Sequence, residues 1–227
     1  MIFFIVYVMM VFIATGNWIY LLAGCAGGSG AAVMAYQLFS HVQVRVQAWK
    51  DPFSCIDDAG YQITQSLFAI GSGGWFGLGL FRGTPDSIPF VEADFVFSAV
   101  AEELGIVFSM CMILICISCF IMFMNISLRL KDKFYQLTAF GLGVTYIFQV
   151  FLTIGGGTKF IPMTGITLPF ISYGGSSVLT TLVMFFIIEG LYIIRQEEGA
   201  KRVKKKRRPR RMESEEFREE QEATEEE

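Results

Sequence analysis

The feature that most constrains the fold of this chain is a long apolar run at residues 95–128, in which Glu102 and Glu103 are the only charged side chains. About 20 mostly apolar residues are enough to cross the hydrocarbon core of a bilayer. The run can therefore begin outside the core or tilt within it. Because lipid offers the backbone no hydrogen-bond partners, we expect an α-helix. The whole chain is 53% hydrophobic, with a mean hydropathy of +0.52, which indicates an integral membrane protein.

Four shorter apolar runs accompany it, at residues 2–14, 18–41, 135–154 and 171–194. We predict an all-α fold, a polytopic transmembrane helical bundle of about five membrane-spanning helices within residues 1–195. The second run contains "AGCAGGSGAA", whose small residues let helix backbones approach closely. The first run starts at once, without the charged segment and cleavage site of a signal peptide, so we expect it to be the end of a helix whose beginning is missing.

The basic residues indicate which way the bundle faces. Of the 18 Lys and Arg residues, 11 lie at or after Arg195, and Arg129, Lys131 and Lys133 form a basic turn between the third and fourth runs. Cytoplasmic flanks of membrane helices are rich in Lys and Arg, so we place this turn and the C-terminus in the cytoplasm. A large structured loop at 42–94 and a shorter segment at 155–170 then face outward. We expect residues 196–227 to be a disordered cytoplasmic tail that contacts anionic membrane lipids rather than nucleic acid.

Several common kinds of site are excluded. His41 is the only histidine, so no histidine-based triad or His-rich metal site can form. Cys116 and Cys119 form a C-x-x-C spacing inside an apolar run without basic neighbours, where thiols serve as small hydrophobes, and no disulfide framework is implied. The six glycines of "GSGGWFGLGLFRG" are not followed by the Gly-Lys-Ser/Thr of a phosphate-binding loop. They instead predict a re-entrant turn buried against protein, after a short amphipathic helix.

Acidic side chains at the start of the third run are candidate functional groups, because carboxylates at membrane depth are costly. Asp94 lies where the outer loop meets the helix, a position that favours an N-cap at the positive end of the helix dipole. Helical spacing places Asp94 on a stripe of small or polar residues that faces protein or a wet cavity, whereas Glu103 points nearly opposite and needs a partner in a neighbouring helix. The other members of the stripe are Ser98, Ala101 and Gly105, with Glu102 at its edge.

Two outward segments carry further candidates. In "RVQAWKDPF", Arg45 and Lys50 suit phosphate oxygens, although plain anchoring at the membrane interface explains them equally well. In "IPMTGITLPFISYGGSSVL", Ser176 and Ser177 open the fifth run, where exposed N–H groups receive an anion or small residues serve helix packing.

A metal ion has only weak support. Glu92 and Asp94 are spaced so that they could share a divalent cation such as magnesium or manganese. Two carboxylates alone are a weak signal for such a site. We therefore assign no metal ligands and no certain cofactor.

The motifs together resemble one family. "RVQAWKDPF", "GYQITQSLFAIGSGGWFGLGL", "EADFVFSAVAEELG" and "IPMTGITLPFISYGGSS", in this order and spacing, resemble the C-terminal half of the SEDS proteins, the FtsW, RodA and SpoVE group of bacterial division, elongation and sporulation. The resemblance covers nearly all of residues 1–195. It implies half of a ten-helix bundle in the bacterial cytoplasmic membrane. It also implies polymerisation of lipid II into glycan strands outside that membrane, beside a class B penicillin-binding transpeptidase and other division or elongation proteins.

The resemblance assigns roles to particular residues. The family's essential aspartate precedes the "EELG" helix and corresponds to Asp94, although this chain has "VEADF" where the commoner pattern is Pro-Glu-Ala-His-Thr-Asp-Phe, which leaves the role of Glu92 open. Asp94 would take the proton of the acceptor sugar's C4 hydroxyl in an inverting glycosyl transfer, and a helix N-terminus would lower its pKa. The outward cations available to the pyrophosphate leaving group are Arg45 and Lys50, ranked first, then Arg82 and Lys159. The supporting residues are Glu92, Ser98, Glu102 and Glu103.

Two alternatives belong to other functional classes. A flippase for a lipid-linked precursor needs a polar path to the cytoplasm, whereas the polar groups here are confined to the outer face. An inactive membrane scaffold of the division or elongation machinery would follow from the missing first half.

Overall fold

The computed structural model describes the backbone of residues 2–225 and the side chains of residues 2–200. Over this part the chain is all-helical, with seven α-helices and no strands, which confirms the predicted fold class. Two short 3-10 turns, Pro52–Cys55 and Pro85–Ser87, lie in the outer loop. The helices are α1 (Ile2–Thr15), α2 (Trp18–Leu38), α3 (Ser40–Lys50), α4 (Tyr61–Gly73), α5 (Val96–Arg129), α6 (Lys133–Gly157) and α7 (Gly175–Glu225).

Four helices are long and apolar enough to cross a membrane: α2, α5, α6 and the Gly175–Ala200 part of α7. Helix α1 is apolar, but its 14 residues fall short of the about 20 that a full crossing needs. The structure therefore has four long apolar helices and one shorter apolar helix where about five spans were predicted, and the fifth span stays a prediction. The second span also ends earlier than predicted, because Phe39 is extended and α3 begins directly after it.

The last helix extends beyond its membrane-spanning part. The backbone of α7 is helical to Glu225, and its side chains are described to Ala200. The disordered tail expected at 196–227 falls mostly on residues whose side chains are outside the described part. That expectation stays a prediction.

The core lies between α5, α6 and α7. The rings of Phe123, Tyr146 and Phe185 form an edge-to-face triad with centroid distances of 5.5, 5.0 and 5.8 Å. Such pairs contribute about 0.5–1.5 kcal/mol each beyond the area they bury. Because lipid tails are as apolar as these side chains, close packing rather than a hydrophobic force holds membrane helices together.

Close packing also joins α1 to α2, as the small residues of α2 predicted. A Cβ atom on Gly24 would lie 2.7 Å from Val8 Cγ2, and one on Gly28 would lie 3.2 Å from the ring of Phe4. A larger residue at Gly24 would therefore force Val8 to shift, and one at Gly28 would require the Phe4 ring to move by a few tenths of an ångström. The expected close approach at "AGCAGGSGAA" is confirmed at these two positions.

The outer loop is structured, and its helix α4 packs against α5. The buried side of α4 carries Ile63, Ser66, Ala69 and Gly73, at the spacing of one helix face, so the predicted amphipathic helix is confirmed. A Cβ atom on Gly73 would overlap the carbonyl oxygen of Ala101 on α5. The glycines thus allow contact of backbone with backbone, as predicted.

Helix α5 is broken at Gly105, which the sequence analysis did not anticipate. Gly105 has φ 83° and ψ 173°, a conformation open essentially to glycine alone. The loop after α4 supplies the partners that the break removes from α5. The hydrogen bonds are Leu78 N to Glu102 O (2.9 Å), Gly79 N to Glu103 O (3.0 Å), Ile106 N to Gly74 O (3.0 Å) and Val107 N to Trp75 O (3.3 Å). Irregular backbone at membrane depth is tolerated where protein covers it in this way.

A substitution at Gly105 should break this junction. A Cβ atom there would lie 2.5 Å from the carbonyl oxygen of Trp75, in a backbone conformation that L residues avoid. We expect Gly105→Ala to lower the free energy of unfolding by at least about 2 kcal/mol. Thermal unfolding of the detergent-solubilised chain measures the loss.

Gly71→Ala is the matched control, because a Cβ atom at Gly71 on α4 meets nothing within 4 Å. It should be neutral or slightly stabilising, as Ala is the better helix former. Equal melting temperatures for the two variants would contradict the role assigned to the break.

Candidate functional site

Asp94 lies just before α5, half-buried against the segment that joins α6 to α7. It lines a cavity of about 10 Å³, the space of a single water molecule. Gly165 lies next to the carboxylate, since a Cβ atom there would be in ordinary contact with Asp94 Oδ2 at 3.6 Å, and its φ of 71° is a backbone conformation that favours glycine. The other lining residues are Phe95, Leu152, Thr153, Gly156, Gly157, Met163, Thr164 and Ile166.

The carboxylate of Asp94 does not cap α5, contrary to the sequence prediction. The N-cap residue is Phe95, and no side chain accepts a hydrogen bond from the first turn. The backbone of Asp94 instead belongs to a turn, with its N–H donating to Phe90 O at 3.2 Å. Because no N–H group of α5 binds the carboxylate, its oxygens remain available to a ligand in the cavity.

The pKa of Asp94 is raised, whereas the sequence analysis expected it to be lowered. Burial raises the pKa by penalising the ionised form, and the positive charge of Arg45 partly opposes this. The expected depression is absent because no capping N–H groups stabilise the carboxylate. A carboxyl group with a raised pKa is a stronger base once ionised, and such groups are typical of functional sites.

Arg45 reaches the same region from α3. Its Nη1 donates to the carbonyl oxygen of Met163 at 3.3 Å, and four residues later Trp49 Nε1 donates to Lys159 O at 3.1 Å. Two side chains of α3 thus bind the joining segment. Arg45 also lines a cavity of about 540 Å³ that shares Met163, Thr164 and Ile166 with the smaller cavity of Asp94.

Hydroxyl groups fix the helix ends around Asp94. Ser66 on α4 contacts the Ser98 hydroxyl at 2.5 Å and donates to Gly157 O at the end of α6 at 2.7 Å. Ser98 is fully buried, so the predicted inward stripe of α5 is confirmed. On the other side, Ser172 donates to Ala93 O at 2.5 Å, and Tyr173 N donates to Glu92 O at 2.7 Å. Residues 92–94 are thereby held between α6 and the start of α7.

The two glutamates of α5 hold the outer loop rather than the reacting site. Glu102 Oε1 accepts from Thr84 N at 3.0 Å, and Glu103 Oε1 accepts from Phe81 N at 3.1 Å. The partner of Glu103 is therefore a loop amide and not, as expected, a neighbouring helix. Glu102 is 5% exposed, and its second oxygen is buried without a hydrogen-bond partner.

The other predicted residues are spread around the outer end. Arg82 is exposed in the loop beyond α4. The backbone oxygen of Lys159 accepts the hydrogen bond from Trp49 Nε1. Ser177 meets the Thr167 hydroxyl at 2.7 Å, and with Ser176 it lines a separate cavity of about 380 Å³ between α6 and α7. Glu92 and Lys50 have exposed side chains. The structure therefore brings Arg45 near Asp94, whereas Lys50, Arg82 and Lys159 line neither the cavity of Asp94 nor the one of about 540 Å³ beside Arg45.

Sequence reasoning missed Thr164. Its hydroxyl oxygen is buried without a hydrogen-bond partner, in a residue that lines both the Asp94 cavity and the larger one beside Arg45. A hydroxyl between Pro162 and Gly165 in an apolar segment was the available signal, since a buried polar group needs a partner. The serines that anchor the site, Ser66 and Ser172, carried no such signal.

The described side chains do not form a protein-only metal site. Within residues 2–200, no three His, Cys, Asp or Glu side chains converge. The divalent cation considered from the sequence stays a prediction.

A half-buried carboxylate beside a cation, at one end of an all-helical bundle with four long apolar helices, defines a membrane protein with a polar site at the rim of its spans. Residues 1–197 match the FtsW, RodA and SpoVE family, described as cell cycle proteins. The chain belongs to this family, as its motifs predicted.

The chain is similar to curated relatives named RodA and FtsW. Over 178 residues the chain is 39% identical to the peptidoglycan glycosyltransferase RodA of Mycobacterium tuberculosis (strain ATCC 25618 / H37Rv), covering 78% of this chain and 38% of the relative. It is 34% identical over 183 residues to the probable peptidoglycan glycosyltransferase FtsW of Aliivibrio salmonicida, covering 78% of this chain and 45% of the relative. The chain thus spans less than half the length of these relatives.

A solved structure shares the fold. It is described as "Structural coordination of polymerization and crosslinking by a peptidoglycan synthase complex", and its chain matches with a TM-score of 0.66 and 26% identity. The match covers 82% of this chain and 52% of that chain.

The bond from Glu102 to the loop can be tested directly. Glu102→Ala removes the acceptor of the Thr84 amide, which should weaken that part of the loop by about 1–3 kcal/mol. Glu102→Gln keeps an acceptor oxygen and should have a smaller effect. The measurement is amide hydrogen exchange, which should become faster at Thr84. The amide of Phe81 is the internal control, because it donates to Glu103 and not to Glu102. Equal acceleration at both amides would contradict separate roles for the two glutamates.

Proposed function

We propose that this chain carries the general base of a glycosyltransferase that polymerises lipid II into glycan strands at the outer face of the bacterial cytoplasmic membrane. The observation that supports this most is Asp94, a half-buried carboxyl group with a raised pKa beside Arg45, at the outer end of the spanning helices. The names of the curated relatives, peptidoglycan glycosyltransferases, agree with the proposal.

Asp94 acts on the acceptor. Its ionised carboxylate takes the proton from the C4 hydroxyl of the acceptor sugar while that oxygen bonds to the anomeric carbon of a second lipid-linked disaccharide. The bond from that carbon to the pyrophosphate oxygen breaks, and the lipid pyrophosphate leaves with the electron pair. Attack opposite the leaving group inverts the anomeric carbon. Because the leaving group is already good, positioning and charge matter more than a strong acid.

Arg45 is the cation that we assign to the pyrophosphate. It is exposed, it lines the cavity of about 540 Å³ next to Asp94, and its bond to Met163 O holds it in place. Cations hold phosphate oxygens through charge-assisted hydrogen bonds. Lys50, Arg82 and Lys159 rank lower, because none of them lines the small cavity of Asp94 or the cavity of about 540 Å³ that shares residues with it.

Ser176 and Ser177 are proposed to bind a different part of the substrate. The cavity that they line also contains Gln149 and Thr180, so its wall is rich in hydroxyl and amide groups. Such groups suit sugar or peptide oxygens better than a bare phosphate.

The proposal extends to partners and orientation. The solved relative belongs to a peptidoglycan synthase complex, which supports a class B penicillin-binding transpeptidase as partner of this chain. The basic turn and tail support a cytoplasmic C-terminus. Because the chain covers less than half of its relatives' length, the active unit is proposed to include an upstream half like theirs.

Lipid II polymerisation tests the base. The chain is purified with and without an upstream half supplied from a relative, mixed with lipid II, and the glycan product is separated by gel. Asp94→Asn should reduce polymer about 10²–10⁴-fold, the range for loss of a general base. Its melting temperature should be no lower than that of the parent, because a buried charge has been removed.

Glu92→Gln is the matched control. Glu92 lies two residues from Asp94 and its side chain is exposed. Its hydrogen bond from Tyr173 N is accepted by the backbone oxygen, which the substitution leaves in place. It should keep most of the activity. Undiminished polymer from Asp94→Asn would sink the base assignment, whereas flipping of lipid II without polymer would favour the transporter.

The pH profile tests Arg45. Asp94 works only when ionised, so activity falls as the pH drops through its raised pKa. Arg45 lowers that pKa, and Arg45→Gln should raise it further and move the acidic limb of the profile to higher pH. Lys50→Gln, at the last residue of α3, should leave the limb in place. A lower plateau with an unmoved limb would show that Arg45 binds substrate without acting on Asp94.

A further inference from the structure

We propose that the end of the bundle remote from Asp94 holds a binding site for the headgroup of an anionic glycerophospholipid. A cavity of about 800 Å³ opens there between the end of α5, the turn to α6 and residues 192–199 in the middle of α7. Its polar lining comes from Arg129, Lys131, Tyr192, Arg195, Gln196 and Glu198. Helix α5 is 34 residues long, so its path separates this cavity from Asp94 by roughly 50 Å.

Positive charge dominates the cavity. Three cations from three parts of the chain face it: Arg129 ends α5, Lys131 lies in the turn, and Arg195 lies on α7. Among the side chains of residues 2–200, the one carboxylate of the lining is Glu198, whose Oε2 accepts from the backbone N–H of Lys131 at 3.3 Å. That bond joins α7 to the turn and leaves the ammonium group of Lys131 to other partners.

Arg195 is oriented by an aromatic ring. Its guanidinium carbon lies 5.7 Å from the centre of the Tyr192 ring, within the range of a cation–π contact. A guanidinium held in this way keeps its N–H fork for phosphate oxygens. Basic pockets between membrane helices bind phospholipid headgroups through this chemistry.

The apolar surface next to the cavity favours a lipid over a free phosphate. Leu128 lines the cavity, and Leu114, Ile121 and Leu128 follow one another at seven-residue spacing, so they share a face of α5. They are 60%, 59% and 73% exposed. The stripe extends about 21 Å from the cavity along the helix, enough for an acyl chain that crosses half of a hydrocarbon core of about 30 Å.

Lys133 separates a built site from general attraction to a charged membrane. It belongs to the same basic turn but begins α6 and does not line the cavity. A diffuse attraction would treat Lys131 and Lys133 alike, since both are exposed. If the lipid binds in the cavity, its binding should depend on Lys131 and not on Lys133.

The test measures lipid retention by native mass spectrometry. The full chain is stripped of lipid in a neutral detergent and titrated with phosphatidylglycerol, with phosphatidylcholine, or with inorganic phosphate. We expect one phosphatidylglycerol to be retained in preference to phosphatidylcholine. Arg129→Gln, Lys131→Gln and Arg195→Gln should each weaken it about fivefold, the effect of one cation near a membrane surface.

The control variant should keep the lipid: Lys133→Gln should bind phosphatidylglycerol like the parent. Leu128→Ser, by contrast, should weaken binding, because it makes the apolar stripe polar without removing a charge. An elution profile like that of the parent shows that each variant is folded. The proposal is overturned if phosphatidylcholine is retained equally, if Lys133→Gln weakens binding as much as Lys131→Gln, or if inorganic phosphate displaces the lipid at equal concentration.

Discussion

The exchange of backbone hydrogen bonds between α5 and the loop after α4 is the constraint on which the rest of the structure depends. The break at Gly105 frees peptide groups that lipid cannot satisfy, and residues 74–79 satisfy them. This contact fixes the outer loop to a membrane-spanning helix. Since α4 is thereby fixed too, Ser66 can reach Ser98 and Gly157, and these bonds set the position of Asp94 against α6.

The pKa of Asp94 follows from the hydrogen bonds that this arrangement does not provide to its carboxylate. Because Phe95 takes the N-cap position, no helix amide stabilises the carboxylate, and burial raises its pKa while Arg45 opposes the rise. A carboxylate held in this state lowers the stability of the fold, a cost typical of sites that carry chemistry. Thr164 lines the same cavity, and its buried hydroxyl also lacks a hydrogen-bond partner.

Much of the fold could be predicted because hydropathy and helical spacing are local properties. The apolar runs gave the long helices, and the stripe of Ser98, Ala101 and Gly105 gave the inward face of α5. The break at Gly105 could not be predicted, since a glycine in a helix has the same local pattern whether or not another backbone approaches it. The choice among Arg45, Lys50, Arg82 and Lys159 was also beyond sequence, because only the packing of α3 brings one of them to the cavity.

The sequence by itself determined that this chain is a membrane-embedded helical protein with an aspartate at the start of its longest span, and its motifs determined the family. Both follow from residue order, because the cost of burying polar groups in lipid acts on each segment separately. The tertiary structure alone decided that Asp94 is not a cap, that its pKa is raised, and that Glu102 and Glu103 hold a loop. These properties depend on which distant segments meet, and charge and desolvation act through space rather than along the chain.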